Sequence, residues 1–432
     1  MKTTSTTLVD RSRMRSREPA AEGTLARSLD GLAERVLRTR LAGLEYGEIT
    51  LVDGARRDTY GRITPRCGLH ATLRVRDRRF YAEAAFGGSV GAGESFMAGD
   101  WTVDDLTALV RILLVNRGLL DGLDSGWSRL AEPARRLLHA AARNTRTGSR
   151  RNIAAHYDIG NDFFELFLDP TMMYSCAVYE RAEMTLEQAQ IAKLDRLCRK
   201  LDLQPGDDLL EIGTGWGALA LHAAQHYGCR VTTTTISREQ HALVRRRIDD
   251  AGLADRITLR LDDYRDLDGT YDKLVSVEMI EAVGHQYFDT FFRRCSELLV
   301  PGGTMVLQAI TIDDRQYASA RDSVDFIKRH IFPGCCIPSV TALAQSAARA
   351  STLRIVDLED IGPHYATTLA AWRRNLFAHA EQVRARGYPE ALLRMWHFYL
   401  SYCEGGFAER ALGDVQIVLQ ESSAAVAPTP RV

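Results

Sequence analysis

The chain has 432 residues, a length that suits two or three packed units, and its 45% apolar and 26% charged content is that of a folded protein. A formal net charge of −1 excludes a whole-molecule field that would gather nucleic acid or an anionic bilayer, so any such attraction must be local. The eight cysteines lack paired CxxC spacing, which argues against a metal site or a disulfide framework, and no apolar run approaches the roughly 20 residues of a membrane helix.

Residues 1–23 are rich in Ser, Thr and Arg and read as a disordered basic arm. From 24 to 44, Leu and Val recur at helical spacing with Arg between them, which predicts an amphipathic packing helix. Between 47 and 86 the segments GEITLV, ATLRV and RFYAEAAF alternate, and they predict a small antiparallel sheet. The stretch 87–115 then turns helical, with Asp104 and Asp105 as acids of a first turn. Residues 24–140 are thus read as a small α+β N-terminal domain. A linker at 141–152 carries Arg143, Arg146, Arg150 and Arg151 among Thr, Gly and Ser. From about 184 to 310, helices and strands alternate in the manner of a doubly wound parallel sheet, so the second domain, 153–420, is of the α/β class. The sequence after 313 reads as mainly helical, up to a polar tail at 421–432.

The segment DLLEIGTGWG places an acid, Glu211, at the end of a strand and Gly213, Gly215 and Gly217 in the turn that follows. Glycine there lets backbone approach a ligand closely, as nucleotide sites require. The spacing is not the G-x-G-x-x-G of dinucleotide enzymes. The next strand, RVTTTTI, lacks a terminal acid for a ribose, Glu239 lying two residues into the following helix. No P-loop motif is present, and no long basic stripe interleaved with aromatics supports nucleic acid as a partner. The compact turn looks like the first motif of Rossmann-like methyltransferases, which makes S-adenosylmethionine the expected cofactor.

Around that turn stand HYDIGNDFFELFLDPTMMYSCAVYE at 156–180, TISREQ, SVEMIEAVGH, IFPGCCIPS, HYATTLAAW and CEGGF. Together these strings resemble the cyclopropane fatty acid synthase family over nearly all of 150–415. GAGESFMAGDW at 91–101 resembles the N-terminal lipid-handling domain of its longer bacterial members. The resemblance implies a class I methyltransferase domain with helical additions. It also implies transfer of a methylene from S-adenosylmethionine to the cis double bond of an unsaturated phospholipid, with bicarbonate as the bound base. The residues carried over for the reaction are Cys176 and Ile310 through their backbone, Glu281 and Tyr365. Gln308 stands where several bacterial synthases have histidine, so ring closure is more open to change than methyl transfer. For the cofactor they are Tyr174, Ser175, Gly213, Gly215, Thr235, Gln240, Asp263 and Tyr264, with no metal ligand. Glu278 is read as structural. Of the rings Tyr157, Phe163, Phe164, Phe167, Tyr174 and Tyr179, one or two are expected to line an acyl tunnel. The expected setting is the cytoplasmic face of a membrane, held peripherally, and a homodimer is compatible with it. The rivals are an enzyme that stops at a methyl or methylene branch or methylates a non-lipid alkene, and a non-catalytic lipid-binding protein.

Overall fold

The computed structural model describes residues 24–118 and 159–422; the basic arm, the linker with its four arginines and the tail beyond 422 lie outside them. The chain begins with α1 (Thr24–Leu41), β1 (Gly47–Asp53), β2 (Arg56–Arg62) and β3 (His70–Val75). There follow α2 (Arg79–Phe86), α3 (Gly88–Ala98), β4 (Trp101–Val103) and α4 (Leu106–Val115). Two expectations are corrected here. RFYAEAAF is the helix α2, because Phe80 pairs with Ala84 and Tyr81 with Ala85 at a spacing of four, and Phe80, Tyr81 and Ala85 are the residues it buries. The sheet, in the order β2-β1-β3-β4, is mixed: β1 and β3 run parallel, and the other two pairings are antiparallel. Asp105 caps α4 by accepting from Ala108 N, whereas Asp104 accepts from Thr72 N at 2.7 Å and ties the helix start to β3. In α1, Ala33 and Leu37 face inward, and Arg38 is bonded to Glu34, Asp58 and Tyr60, so this helix packs on its own domain.

A short helix α5 (Asn161–Phe164) and a long α6 (Leu186–Lys200) precede the second sheet. That sheet is built from β5 (Asp208–Ile212), β6 (Arg230–Thr234), β7 (Ile257–Arg260), β8 (Tyr271–Val277) and β9 (Leu299–Ile312), with α7 (Ala218–His222), α8 (Arg238–Asp250) and α9 (Phe288–Leu298) in the crossovers. Beyond 313 the helices α10 (Asp314–Asp322), α11 (Val340–Ala350), α12 (Gly362–Ala378), α13 (Ala380–Ala385) and α14 (Glu390–Ala408) are interrupted by β10 (Arg354–Asp360) and closed by β11 (Leu412–Gln420). These last two strands correct the reading of this region as mainly helical. The seven strands run in the order β10-β11-β9-β8-β5-β6-β7, and β11 alone opposes its neighbours. The order reverses at β5, so the ends of β5 and β8 open a crevice where ligands bind in such sheets. The fold is a Rossmann-like α/β domain with helical additions.

The two sheets are joined by side chains. Thr107 and Arg111 of α4 donate to Glu404 and Glu409 at 3.2 and 2.7 Å, and Glu94 of α3 accepts from Arg329 and His330 at 2.7 and 3.0 Å. His330 is thereby committed away from the glycine turn. Phe163, Phe164 and Phe167 are fully buried among Tyr174, Trp216 and Trp396, so these phenylalanines are core.

Candidate active site

The glycine turn leaves β5 with Gly213 at φ +98° and Gly215 at φ +53°, a region that side-chain-bearing residues rarely adopt. A Cβ on Gly213 would meet Met279 at 3.2 Å, while one on Gly215 would project into open space. Glu211, fully buried behind the turn, accepts from Thr233 Oγ1 at 2.5 Å, and burial pushes its carboxyl up to about 7. Thr235 Oγ1 donates to Gln240 Oε1 at 2.8 Å, which orients that carboxamide at the start of α8. Asp263 is buried, but its carboxylate is bonded to Arg265 Nε and Nη2 at 2.8 and 2.6 Å; Tyr264 packs on Phe291 with its hydroxyl unpaired. Tyr174 donates or accepts across 2.9 Å to Tyr399.

A second group of side chains gathers beyond the ends of β8 and β9. Glu278 has φ +47° and turns its carboxylate inward. Its Oε1 accepts from Cys176 N and Gln308 Nε2, each at 2.8 Å, and its Oε2 from Tyr365 Oη at 2.6 Å. Glu281, on the next turn, accepts from Ile310 N at 2.5 Å through Oε1, while its buried Oε2 has no partner. Burial, and then the neighbouring Glu278, push Glu281 up to about 8. The Cys176 thiol is fully buried and donates to Ala177 O at 3.3 Å, and burial pushes it well above its usual range, which suits a residue that acts through its N–H and not as a nucleophile.

Sequence reasoning did not find the residues that hold these groups. Gln190 and Lys193 of α6 are fully buried; Gln190 Nε2 donates to Ser175 O at 2.9 Å and Lys193 Nζ to Ser175 Oγ at 2.8 Å. Burial lowers the Lys193 ammonium to about 8 against the favourable field of Glu278. A lysine on the apolar stripe of α6, between Ala189 and Leu197, is the signal that points to it. Asp414 and Gln416 arrive on β11, which the sequence did not disclose.

One cavity of about 1330 Å³ unites these parts. It is lined by all eight expected cofactor residues and by Glu278, Glu281, Ile310 and Tyr365, and it continues into the first domain between Leu37, Leu51, Leu73, Phe80 and Leu109. That is more than the roughly 300–1,000 Å³ of a single small-molecule site, and the extension is walled by apolar side chains. Cys176 and Gln308 stand behind the wall; of the rings named from sequence, Tyr157 lies outside the described residues, and among the others only Tyr174 lines it, with Phe332, Tyr399 and Phe407 added from later in the chain. Among the described residues no His, Cys, Asp and Glu cluster suits a metal ion, and no helix is long and apolar enough to cross a membrane.

Residues 144–417 match the family model described as mycolic acid cyclopropane synthetase. The chain belongs to the cyclopropane synthase family. It is 38% identical over 395 residues to the tuberculostearic acid methyltransferase UfaA1 of Mycobacterium tuberculosis, covering 89% of this chain and 90% of that one. It is 37% identical over 350 residues to the cyclopropane-fatty-acyl-phospholipid synthase of Escherichia coli, covering 81% and 87%. The crystal structure of mycolic acid cyclopropane synthase CmaA1 complexed with SAH and CTAB superposes with a TM-score of 0.59 at 34% identity, covering 63% of this chain and 98% of that one. As a member of the cyclopropane synthase family, the chain is an S-adenosylmethionine-dependent methyltransferase whose chemistry is cyclopropanation or methylation of lipid acyl chains.

The glycine turn fits the cofactor, since the space beyond Gly215 is open and the cavity runs on past Thr235 and Gln240. The donors expected to anchor bicarbonate do not fit it in the same way. The Cys176 N–H, the Tyr365 hydroxyl and the Gln308 amide are spent on Glu278, and the Ile310 N–H on Glu281. They cannot serve a separate ion while Glu278 holds them. Three of the four donors that the resemblance assigned to a bound base are thus held by Glu278 of the chain itself.

Proposed function

We propose that this enzyme converts cis double bonds of phospholipid acyl chains to cyclopropanes at a membrane surface, with Glu278 as the base. The observation that carries the reading is the single cavity that joins the glycine turn, the Glu278 carboxylate and an apolar extension, with a volume of about 1330 Å³. Bound S-adenosylmethionine supplies a methyl carbon that takes the alkene π electrons as its C–S bond breaks, leaving a carbocation on the acyl chain. Glu278 then removes one proton from the new methyl group, and the C–H electron pair closes the ring at the cationic carbon. Three donors converge on the Glu278 carboxylate, which fixes its orientation before the transfer. The Glu278 carboxylate supplies negative charge beside the forming cation, and the aromatic and aliphatic wall keeps out water that would trap it. Arg40 and Arg117 also line the cavity, and their charge suits a phosphate headgroup held at the membrane surface, while Arg315 beside them is paired with Asp313.

A second reading has a specific observation behind it. Gln308 stands in place of an imidazole and cannot pass on a proton. With a hydride shift along the acyl chain, the same proton loss from the methyl group yields a methylene branch in place of a ring. The 38% identity to an enzyme named for tuberculostearic acid accords with that branch. Lipids from cells expressing the protein decide between them: proton NMR is expected to show ring methylene signals, and vinylidene signals would establish the alternative.

A further inference from the structure

Asp414 is a buried acid that lines no part of the cavity, yet it stands directly behind the base. It lies on β11 opposite Ile310, and Gln416, two residues on, lies opposite Gln308. Gln416 Nε2 donates to Gln308 Oε1 at 3.0 Å, which fixes the Gln308 carboxamide with its NH2 toward the acids. From that nitrogen Gln308 donates to Glu278 Oε1 at 2.8 Å and to Asp414 Oδ2 at 3.3 Å. One amide therefore bridges two carboxyl groups.

The two acids are unequally served. Glu278 collects three donors, whereas among the described residues Asp414 accepts from a single amide, Gln308, at the longer distance, with the Cys176 thiol and the Glu278 carboxyl as its other polar neighbours, and its Oδ1 has no hydrogen bond although the residue is fully buried. A carboxyl with so little solvation is far cheaper to bury uncharged. Burial first, then Glu278, raises Asp414 well above the carboxylate range; Glu281 adds to this and Lys193 of α6 opposes it. The other titratable groups facing it, the Tyr365 hydroxyl of α12 and the Cys176 thiol, are pushed upward and stay neutral.

We propose that Asp414 is a positioning residue that stays protonated behind an ionised Glu278, so that the pair holds one proton and Gln308 clamps the charged member at the reaction site. This rests on the reading of Glu278 as base. Ionisation of Asp414 would place two anions on one amide and disorder the clamp.

The test uses the full chain with Asp414→Asn, Asp414→Leu and Glu278→Gln. Infrared difference spectra at neutral pH are expected to show the carbonyl stretch of a buried carboxylic acid in the wild type that disappears in Asp414→Asn. No such band, or a band that survives in Asp414→Asn and vanishes in Glu278→Gln, overturns the proposal. In turnover, Asp414→Asn keeps the neutral shape and is expected to stay within about tenfold of wild-type kcat near neutrality while its alkaline limb moves upward. Asp414→Leu, which releases Gln308, is expected to lose about 100-fold in kcat with S-adenosylmethionine affinity within about threefold. An Asp414→Asn pH profile that overlies the wild type makes the residue structural only and sinks the idea. If the carboxylic acid band is present and specific but the wild type transfers no carbon to phospholipid, the functional reading fails and the carboxyl pair stands.

Discussion

Glu278→Gln is the perturbation that separates a base from a structural acid. Glu278 accepts hydrogen bonds from Cys176 N, Gln308 Nε2 and Tyr365 Oη at 2.8, 2.8 and 2.6 Å. A carboxamide has one acceptor oxygen, so at least one of these donors faces an NH2 and loses its partner, at a cost of about 1–3 kcal/mol. The change also deletes the group that takes the proton, and removal of a general base lowers rates by about 100- to 10,000-fold. The expected result is a kcat reduced by that factor, a modest fall in melting temperature and an S-adenosylmethionine affinity within about threefold of wild type, read by calorimetry. Glu278→Gly makes the prediction sharper. It relieves a φ of +47° and leaves the donors facing a void the size of a small carboxylate. That variant should be inactive in carbonate-free buffer and recover when bicarbonate or formate is added, whereas the wild type should not respond to either. A wild type that loses activity on removal of bicarbonate, or a Glu278→Gln variant that retains full kcat, would refute the reasoning.

Three further outcomes are expected. Gly215→Val forces a side chain into the cofactor space at φ +53°, and calorimetry should find S-adenosylmethionine binding weakened by at least about 100-fold, beyond what the strained backbone alone explains, which should lower the melting temperature by only about 2–4 °C. Glu281 is raised from 4.5 to about 8, so its contribution to stability is complete below the unfolded value and is lost as pH climbs toward 8. Glu281→Gln cannot ionise, and denaturant titrations should show it gaining on the wild type between pH 5 and pH 8.5 by on the order of 3 kcal/mol, while turnover is lost; a constant difference across that range would contradict the burial argument. Gln308→His restores a group that can exchange protons, and the ratio of ring to methylene product, read by NMR, should shift toward the ring or stay as it is; a shift toward methylene would count against the assignment.

The glycine turn and the helix–strand alternation around it were legible because the turn is a backbone requirement written in adjacent residues, an acid, three glycines and a helix start within eight positions, and the alternation is written in the apolar pattern. The catalytic cluster was legible only in its parts. Glu278 meets partners 102, 30 and 87 residues away, and no local pattern shows that three donors converge on it and not on Glu281. β11 was missed because its residues Asp414 to Leu419 are buried without alternation, the strand lying inside the sheet, and its buried Asp and Gln obscure the apolar run. The parallel pairing of β1 with β3 escaped for a different reason, since alternation marks a half-buried strand but carries no direction. Lys193 was readable and was passed over: a charged residue on a buried helical stripe demands a partner, which here is Ser175 beside the cofactor turn.

The central claim is that a carboxylate of the chain removes a proton from the carbon it has just attached to an acyl chain. Incubation with S-adenosylmethionine carrying a trideuterated methyl group and a vesicle of cis-unsaturated phospholipid, followed by mass analysis of the released fatty acids, tests it directly. The account predicts acyl chains that gain one carbon with two deuteriums. Chains that keep all three, or phospholipid without label while the cofactor is consumed, would contradict it.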